Sequence, residues 1–421
     1  MIQRLQAAVK RHLDRTASFA WEKVVRDKRD RRGRRWMLRE LMEALWNGVL
    51  SATANLRKVE QFTERLGERI PDTTLHDFVL TLSPGQFREH LVREVRAAHR
   101  AKELAPDLPF SQVAIDGKSI WSGSRRANRY CQKQSPKDGA TKARFVMRVL
   151  RAEIVGGPCK VCIGQKPITT RKAETSTFPA FLQQLRKDYG RSGRLEVFSL
   201  DAGFTSHKNA GMINEAQLGY VMALKAPQKE LRLEAERLLG KRSKPDAETP
   251  WERRGGNRIR RLLFRTSEIA GYHGWTSLRE VWRVKQETER NGQVEIEERY
   301  FLTNLVPGRT KGDIPLRVVR AHWGIENNGN WTLDTAWLED SAPWVAKAAE
   351  VVSLLRLIAF NVVMRLRTRH LRSVENRRRS WRNLIDLVTD VLLQRGLNAL
   401  ARLADKTGES GDEPRGLAVP A

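Results

Sequence analysis

Residues 113–118 read Val-Ala-Ile-Asp-Gly-Lys, an apolar run typical of a strand that ends in one carboxylate and a glycine. Similar apolar contexts hold one acid each at two later places, so the three carboxylates of interest are Asp116, Asp201 and Glu326. An acid among apolar neighbours needs an ion-pair partner or a bound cation, because an unpaired buried charge is costly. Three such acids in a basic chain indicate a divalent metal ion held against a nucleic-acid backbone.

Composition narrows the classes of partner. The chain has 421 residues, a formal net charge of +28 and a pI near 10.6. A surface this cationic favours nucleic acid as a partner, with an anionic membrane surface as the second possibility. The longest apolar stretch, Val351–Leu366, is interrupted by two arginines and falls short of the ~20 apolar residues of a membrane span. Met1–Arg15 lacks the apolar region of a secretory signal, so we expect no membrane association and a bacterial cytoplasmic, nucleoid-associated location.

Cysteines are few, which argues against a disulfide-based fold and favours a reducing cytosol. They are Cys131, Cys159 and Cys162. The close pair at 159 and 162 raises a zinc interpretation. A structural zinc site takes four ligands, however, and the sequence has no second close pair of Cys or His.

Residues 1–105 are predicted to form a helical, basic domain, with one helix starting after Pro71 at an Asp72 cap. A dense run of cations precedes the first strongly periodic helix, and its members are Arg26, Lys28, Arg29, Arg31, Arg32, Arg34 and Arg35. Two interpretations stay open at this point. The domain is either a small bundle with a solvated cationic side, or a DNA-end-binding domain that grips phosphates with this run.

From residue 106 to 246 strands alternate with helices, a pattern typical of an α/β domain in which helices cover a mixed sheet. The predicted strands are Gln112–Ile120, Arg144–Val155, Lys160–Ile168, Leu195–Leu200 and Tyr220–Lys225. The predicted helices are Thr177–Lys187 and Lys208–Ala216. This is the first part of the predicted catalytic core.

Residues 247–305 are predicted to be a β-rich insertion in that domain, with strands at Arg258–Arg265, Leu278–Gln286 and Val294–Leu305. Asn291–Gly292 is a strong hairpin signal. Three tryptophans lie in or beside the insertion, where they either pack in the core or stack on an unpaired base. They are Trp251, Trp275 and Trp282.

Residues 306–403 are predicted to complete the core with helices, and residues 404–421 to be a disordered tail. The predicted helices are Leu316–Leu333, which carries Glu326, then Ala346–Arg369 and Ser380–Leu403.

The three acids can converge at one side of the sheet, two from strand ends and one from a helix. Carboxylate oxygens are the ligands that Mg²⁺ prefers. Simple pairing of each acid with one of the many arginines is the alternative. The sequence has neither a G-x-S-x-G elbow nor a phosphate-binding loop, so the expected nucleophile is a water or a DNA 3′-hydroxyl.

The residues around the acids resemble the DDE transposases of bacterial insertion sequences, in particular the subgroup described as H-repeat-associated or transposase DDE domain proteins. The third motif fits the family pattern His-Trp-x-Ile-Glu-Asn at every fixed position. The resemblance covers roughly residues 30–370. Its matching segments are Ile115–Lys118, Asp201–Ala202, Tyr300–Leu305, His322–Asn327, Trp331–Asp334 and Glu339–Asp340.

This resemblance implies an RNase H-like catalytic core in which Asp116, Asp201 and Glu326 are the catalytic and metal-binding residues, with Mg²⁺ (or Mn²⁺) as the cofactor. It implies double-stranded DNA as the partner, both the terminal inverted repeats of the element and the target. Cleavage of the element ends would be followed by strand transfer, and a homodimer is expected on the two ends. The expected DNA contacts are Arg29, Arg31, Arg32, Arg34, Arg35, Lys118, His322, Trp323 and Asn327.

The chain departs from related patterns at several positions. Better-studied relatives have Tyr, Arg and Lys where this chain has Val319, His322 and Leu333, and Leu-His is commoner than Gly329-Asn330. A catalytically inactive, domesticated or decayed DNA-binding derivative therefore stays open as an alternative. So does a structure-specific nuclease with the same core.

Overall fold

The computed structural model describes residues 2–17, 19–30, 32, 34–135, 144–169, 173–190, 194–225, 228–341 and 344–408. Its architecture is mixed α/β, which confirms the predicted class. One large sheet runs through the molecule, with helices packed on both of its faces. Among the described residues, no helix combines the length and apolar composition needed to cross a bilayer.

The N-terminal residues are mostly helical. The helices are α1 (Ile2–Thr16), α2 (Trp21–Val24), α3 (Leu38–Leu50), α4 (Leu56–Arg65), α5 (Asp72–Thr81) and α6 (Pro84–Arg100). In α3, Leu41, Leu45 and Val49 recur at helical spacing and are buried, which explains why this amphipathic segment folds as a helix. Helix α5 begins at Asp72 itself, so Pro71, and not Asp72, occupies the capping position.

The central strands and helices follow in chain order, close to the predicted bounds. They are β1 (Gln112–Gly123), β2 (Gln132–Gln134), β3 (Arg144–Val155), β4 (Val161–Pro167), α7 (Ala173–Tyr189), β5 (Val197–Leu200), α8 (His207–Glu215), β6 (Gly219–Leu224) and α9 (Lys229–Leu239). Strand β1 pairs antiparallel with β3 and parallel with β5, and β5 pairs parallel with β6. The sheet is therefore mixed at its centre.

The segment predicted as an insertion extends this same sheet. Its strands are β7 (Ala247–Glu248), β8 (Glu252–Arg254), β9 (Asn257–Thr266), β10 (Glu280–Arg290) and β11 (Gln293–Thr303). Strand β11 joins the core because Tyr300–Thr303 pairs antiparallel with Val221–Leu224 of β6. Asn291 and Gly292 both have positive φ, which is the geometry of the predicted hairpin turn between β10 and β11.

Core packing is confirmed for two of the three tryptophans. Trp282 is fully buried and Trp275 is 7% exposed. Trp251 is half-buried, and the guanidinium groups of Arg258 and Arg260 lie over its ring. The three cysteines are buried free thiols.

The C-terminal helices are α10 (Ile314–His322), α11 (Trp331–Trp337), α12 (Ala349–Arg369), α13 (Val374–Arg377) and α14 (Trp381–Gly408). A π-helical segment, Ile325–Asn330, separates α10 from α11. The prediction of one continuous helix over 316–333 was therefore wrong. Helix α14 continues beyond the predicted end at Leu403 to Gly408, and residues 409–421 lie outside the described residues.

Helix α12 is buried along almost its whole length and covers the sheet beside β4. The side-chain amide of Asn361, in this helix, forms hydrogen bonds with both backbone groups of Cys162 in β4. The Asn361 Nδ2 donates to the Cys162 carbonyl at 2.8 Å, and the Cys162 N–H donates to Asn361 Oδ1 at 2.8 Å. Buried backbone groups of an outer strand lower the stability of the fold when they lack hydrogen-bond partners. The Asn361 side chain supplies these partners.

Replacing Asn361 by Leu should destabilise the protein by about 1–3 kcal/mol for each of the two backbone groups left unsatisfied. Urea unfolding of the full chain measures the change. The matched control is Asn383→Leu on the exposed surface of α14, where we expect a change within about 0.5 kcal/mol. Equal stability of the Asn361 variant and the wild type would show that the hydrogen bonds of this amide to β4 do not stabilise the fold.

Candidate active site

Asp116 and Asp201 occupy equivalent positions on neighbouring strands. The parallel ladder of β1 and β5 pairs Ile115 with Leu200, and the next residue along each chain segment is the acid: Asp116 within β1, and Asp201 directly after the end of β5. Neighbouring strands lie ~4.8 Å apart, so the two aspartates start side by side. The structure therefore brings together the first two predicted site residues through backbone pairing alone.

Glu326 reaches the same face of the sheet from the π-helical segment. Ile325 packs against Ala114 and Val155, which fixes the segment over β1 and β3. Helix α10 is held by Gln112, whose Nε2 donates to the carbonyl of Val318 at 2.9 Å. Single π-helical turns inside α-helices are frequent at functional sites.

The residue composition explains why the helix is interrupted here. The segment reads Ile-Glu-Asn-Asn-Gly-Asn, and Asn and Gly are poor helix formers. Gly329 also lies directly against the buried carboxylate of Glu153, and a Cβ at this position would overlap it. The unusual Gly329 of the sequence is therefore a requirement of packing against β3.

Electrostatic repulsion couples the three acids. The pKa of Asp116 is raised to about 6, chiefly by burial and next by Glu326, with smaller contributions from Glu174 and Asp201 and an opposing one from the Gly117 N–H. Burial and then Asp201 also raise the pKa of Glu326, although Arg299 and Lys225 oppose this. Cations nearby thus compensate the acids only in part.

The acids are neighbours, but they do not form a ready set of ligands. Within the described ranges, no group of three or more His, Cys, Asp or Glu side chains is arranged to hold a metal ion. Both oxygens of Asp116 accept hydrogen bonds, from the Gly117 N–H at 2.8 Å and from Asn330 Nδ2 at 2.8 Å. The Lys225 ammonium lies 3.9 Å from Asp201 Oδ1.

A fourth acid, Glu174, lies at the start of α7 and was missed by the sequence analysis. Its carboxylate occupies the space beside Gly117, where a Cβ would overlap it, and forms an ion pair with Arg148. Glu174 also lies 3.4 Å from the position of a Cβ on Gly203. The glycines that follow Asp116 and Asp201 were the available signal, because they mark a close approach by another group.

Four predicted DNA contacts surround the acids in different settings. Lys118 forms an ion pair with Asp334. His322 is buried, with Nδ1 at 3.1 Å from the Ser199 hydroxyl, and burial lowers its pKa to about 4. Trp323 is half-buried beneath the Arg299 guanidinium, whose carbon lies 4.2 Å from the ring centre, whereas Asn327 is exposed.

The N-terminal arginine run divides into internal and exposed side chains. Arg29 and Arg34 both bind Asp27, at 2.8 and 3.2 Å. Arg32 and Arg35 are exposed. Arg31 lies outside the described residues. The run is therefore only partly a free cationic surface.

A cationic groove of about 820 Å³ lies between the β8–β11 strands and α10, beside the segment that carries Glu326. Asp107, Glu252 and Glu297 are its acids. Its cations outnumber them, and they are Lys160, Arg253, Arg254, Arg261, Arg299, Arg317 and Arg320. These cations come from four separate segments of the chain, so no local sequence pattern marked this surface.

No family model and no curated protein matches the sequence. Among solved structures, the chain is similar to the piggyBac transposase in a synaptic complex with hairpin DNA determined by cryo-electron microscopy. The two share 13% identity, the match covers 90% of this chain and 78% of the other, and the TM-score is 0.43.

Gly329→Ala should destabilise the protein by about 1–3 kcal/mol, because the added methyl group overlaps the Glu153 carboxylate. Glu153→Ala in the same chain should relieve that overlap, so the two changes should be non-additive by about 0.5 kcal/mol or more in a double-mutant cycle. Additive effects would contradict the contact. Gly211→Ala is the matched control, since this helical glycine faces open space and Ala is expected to stabilise by up to about 1 kcal/mol.

Proposed function

We propose that the chain is a DNA transposase of an insertion sequence, with an RNase H-like core that cleaves element ends and transfers them to target DNA. The observation that carries this proposal is the pairing of β1 with β5, which sets Asp116 beside Asp201. Glu326, in the π-helical segment Ile325–Asn330, interacts electrostatically with both aspartates. Acids kept together despite their repulsion need a stabilising counter-charge, and the chain's +28 net charge suits a polyanionic substrate.

The residues fit a Mg²⁺ or Mn²⁺ cofactor in charge and donor type. Asp116, Asp201 and Glu326 offer only carboxylate oxygens, which these ions prefer. Burial first, and then the neighbouring acids, raise the pKa values of Asp116 and Glu326, so a bound cation would relieve part of a local excess of negative charge. When bound, such ions activate a water or 3′-hydroxyl and stabilise the leaving oxygen of a phosphodiester.

The chain's own residues orient this chemistry. The Gly117 N–H and Asn330 hold Asp116 in one rotamer, and Lys225 lies near Asp201 as a cation for a substrate phosphate. Exposed Asn327 and the Trp323–Arg299 pair face the groove beside Glu326, where we place the DNA backbone. His322 supports α10 from inside, so we leave it out of the DNA-contacting set.

DNA recognition is assigned to two cationic surfaces: the exposed arginines of the N-terminal run, and the groove between the β8–β11 strands and α10. Each neutralised phosphate releases counterions, so binding would be strongly salt-dependent. The proposed ligands are the terminal inverted repeats and the target duplex. Two ends must be joined in one event, so we propose a homodimer on DNA.

One observation favours a second candidate, a catalytically inactive DNA-binding derivative. Among the described residues the three acids are not arranged as a metal-ligand group, and Asp116 already accepts two hydrogen bonds. Such a protein would bind the same DNA without cutting it. A structure-specific nuclease, in contrast, would cut without requiring terminal repeats and would not join strands.

Asp116→Asn, Asp201→Asn or Glu326→Gln should each abolish Mg²⁺-dependent cleavage, because each removes an anionic metal ligand. DNA affinity should stay nearly unchanged, because the two cationic surfaces, and not these acids, bind the phosphates. A nicking and strand-transfer assay measures the loss, on DNA duplexes taken from the sequences that flank the coding region on both sides. Asp77→Asn, an exposed acid on α5, is the control and should keep wild-type cleavage. Cleavage by any of the three site variants would refute the metal assignment, and an inactive wild type would favour the second candidate.

Replacing Arg32 and Arg35 by Ala should weaken DNA binding and reduce the slope of log affinity against log salt by about 0.9 for each lost phosphate contact. Fluorescence anisotropy at several salt concentrations measures that slope. Arg29→Ala removes a side chain that is bound to Asp27. It should therefore lower the free energy of unfolding and change the slope little. An unchanged slope for the double variant would remove the N-terminal run from the interface.

A further inference from the structure

Arg151 lies directly opposite Asp116 in the antiparallel ladder of β1 and β3. Facing residues on one side of a sheet have their Cβ atoms within about 5.5 Å, and opposite charges there pair favourably. An arginine at this position would ordinarily neutralise Asp116 and leave little charge for a cation. The structure shows a different partner for this guanidinium.

Arg151 is held by Glu339 in a fully buried, bidentate ion pair. The Arg151 Nη2 lies 2.8 Å from Glu339 Oε1, and Nη1 lies 3.0 Å from Oε2. The Ser353 hydroxyl donates to the same carboxylate at 2.7 Å. Burial by itself raises the pKa of Glu339, but Arg151 and Ser353 lower it by more, so the carboxylate stays ionised and keeps the guanidinium.

Asn330 lies between this pair and Asp116. Its Oδ1 accepts a hydrogen bond from Arg151 Nη1 at 3.0 Å, and its Nδ2 donates to Asp116 Oδ2 at 2.8 Å. The side chain is 6% exposed and is fixed at both ends. Asp116 thus receives an oriented hydrogen bond from a neutral amide, and among the described residues no Lys or Arg forms an ion pair with it.

We propose that Glu339 and Asn330 are positioning residues for Asp116: Glu339 keeps the Arg151 guanidinium away from the aspartate, and Asn330 fixes the aspartate's orientation. This inference rests on the proposed function, since it assumes that Asp116 binds a divalent cation. Groups that orient a metal ligand typically account for a 10–100-fold effect on metal affinity or activity.

The principal test is Asn330→Leu in the full-length protein, which removes both hydrogen bonds at nearly constant volume. We expect Mn²⁺ affinity, followed by the electron paramagnetic resonance signal of the free ion, to fall by about 10–100-fold. The cleavage rate at saturating DNA should fall in parallel, and the DNA concentration for half-maximal rate should stay unchanged.

Glu339→Gln is the second variant. It releases Arg151, which then turns to Asp116 and neutralises it, so Mn²⁺ affinity should again fall at least tenfold. Asn361→Leu is the matched control, because it also removes a buried amide but touches none of the acids. This control should lose stability and keep the wild-type affinity for Mn²⁺.

The inference is overturned if folded Asn330→Leu or Glu339→Gln binds Mn²⁺ within twofold of the wild type, or if both lose only stability, as the control does. Failure of the proposed function gives a different result. In that case, wild-type protein binds Mn²⁺ in a manner that Asp116→Asn abolishes, yet it cuts no DNA.

Discussion

The parallel pairing of β1 with β5 is the constraint on which the candidate site depends. Because Ile115 is opposite Leu200, the two following residues, both aspartates, are placed side by side by backbone hydrogen bonds. A one-residue slip would turn one acid to the other face of the sheet. The apolar residues before each acid are buried, and their burial fixes the register.

Charge balance is the second requirement. Three acids together repel one another, and the strongly basic chain offers many cations that would neutralise them. Two cations on the strand of Asp116 and the strand opposite it already have other partners: Arg151 forms an ion pair with Glu339, and Lys118 forms one with Asp334. The site therefore keeps unsatisfied negative charge inside a protein of large positive charge, which is the arrangement that a divalent ion and a phosphate backbone can complete.

Much of the sheet was predictable from sequence, because short apolar runs, turn glycines and the Asn291–Gly292 hairpin are local signals. Strand β3 has the predicted bounds, Arg144–Val155. The Asn and Gly residues of 327–330 marked a weak point in the helix, but its π-helical form was not predictable, since that depends on the contact of Gly329 with Glu153 from a distant strand. Glu174 and the Arg151–Glu339 pair were missed for the same reason: their roles depend on tertiary contacts. The arginine run could be identified from sequence. Which of its side chains bind Asp27 and which are exposed to solvent could not.

We propose that Asp116, Asp201 and Glu326 together bind a divalent cation. The most direct test of this proposal is a crystal of the full chain soaked in Mn²⁺ and measured for anomalous scattering. We expect a peak within ligand distance, about 2.0–2.3 Å, of carboxylate oxygens from Asp116 and Asp201, with Glu326 turned toward it. A map with no peak there at saturating Mn²⁺, or with Arg151 rotated onto Asp116, would contradict it.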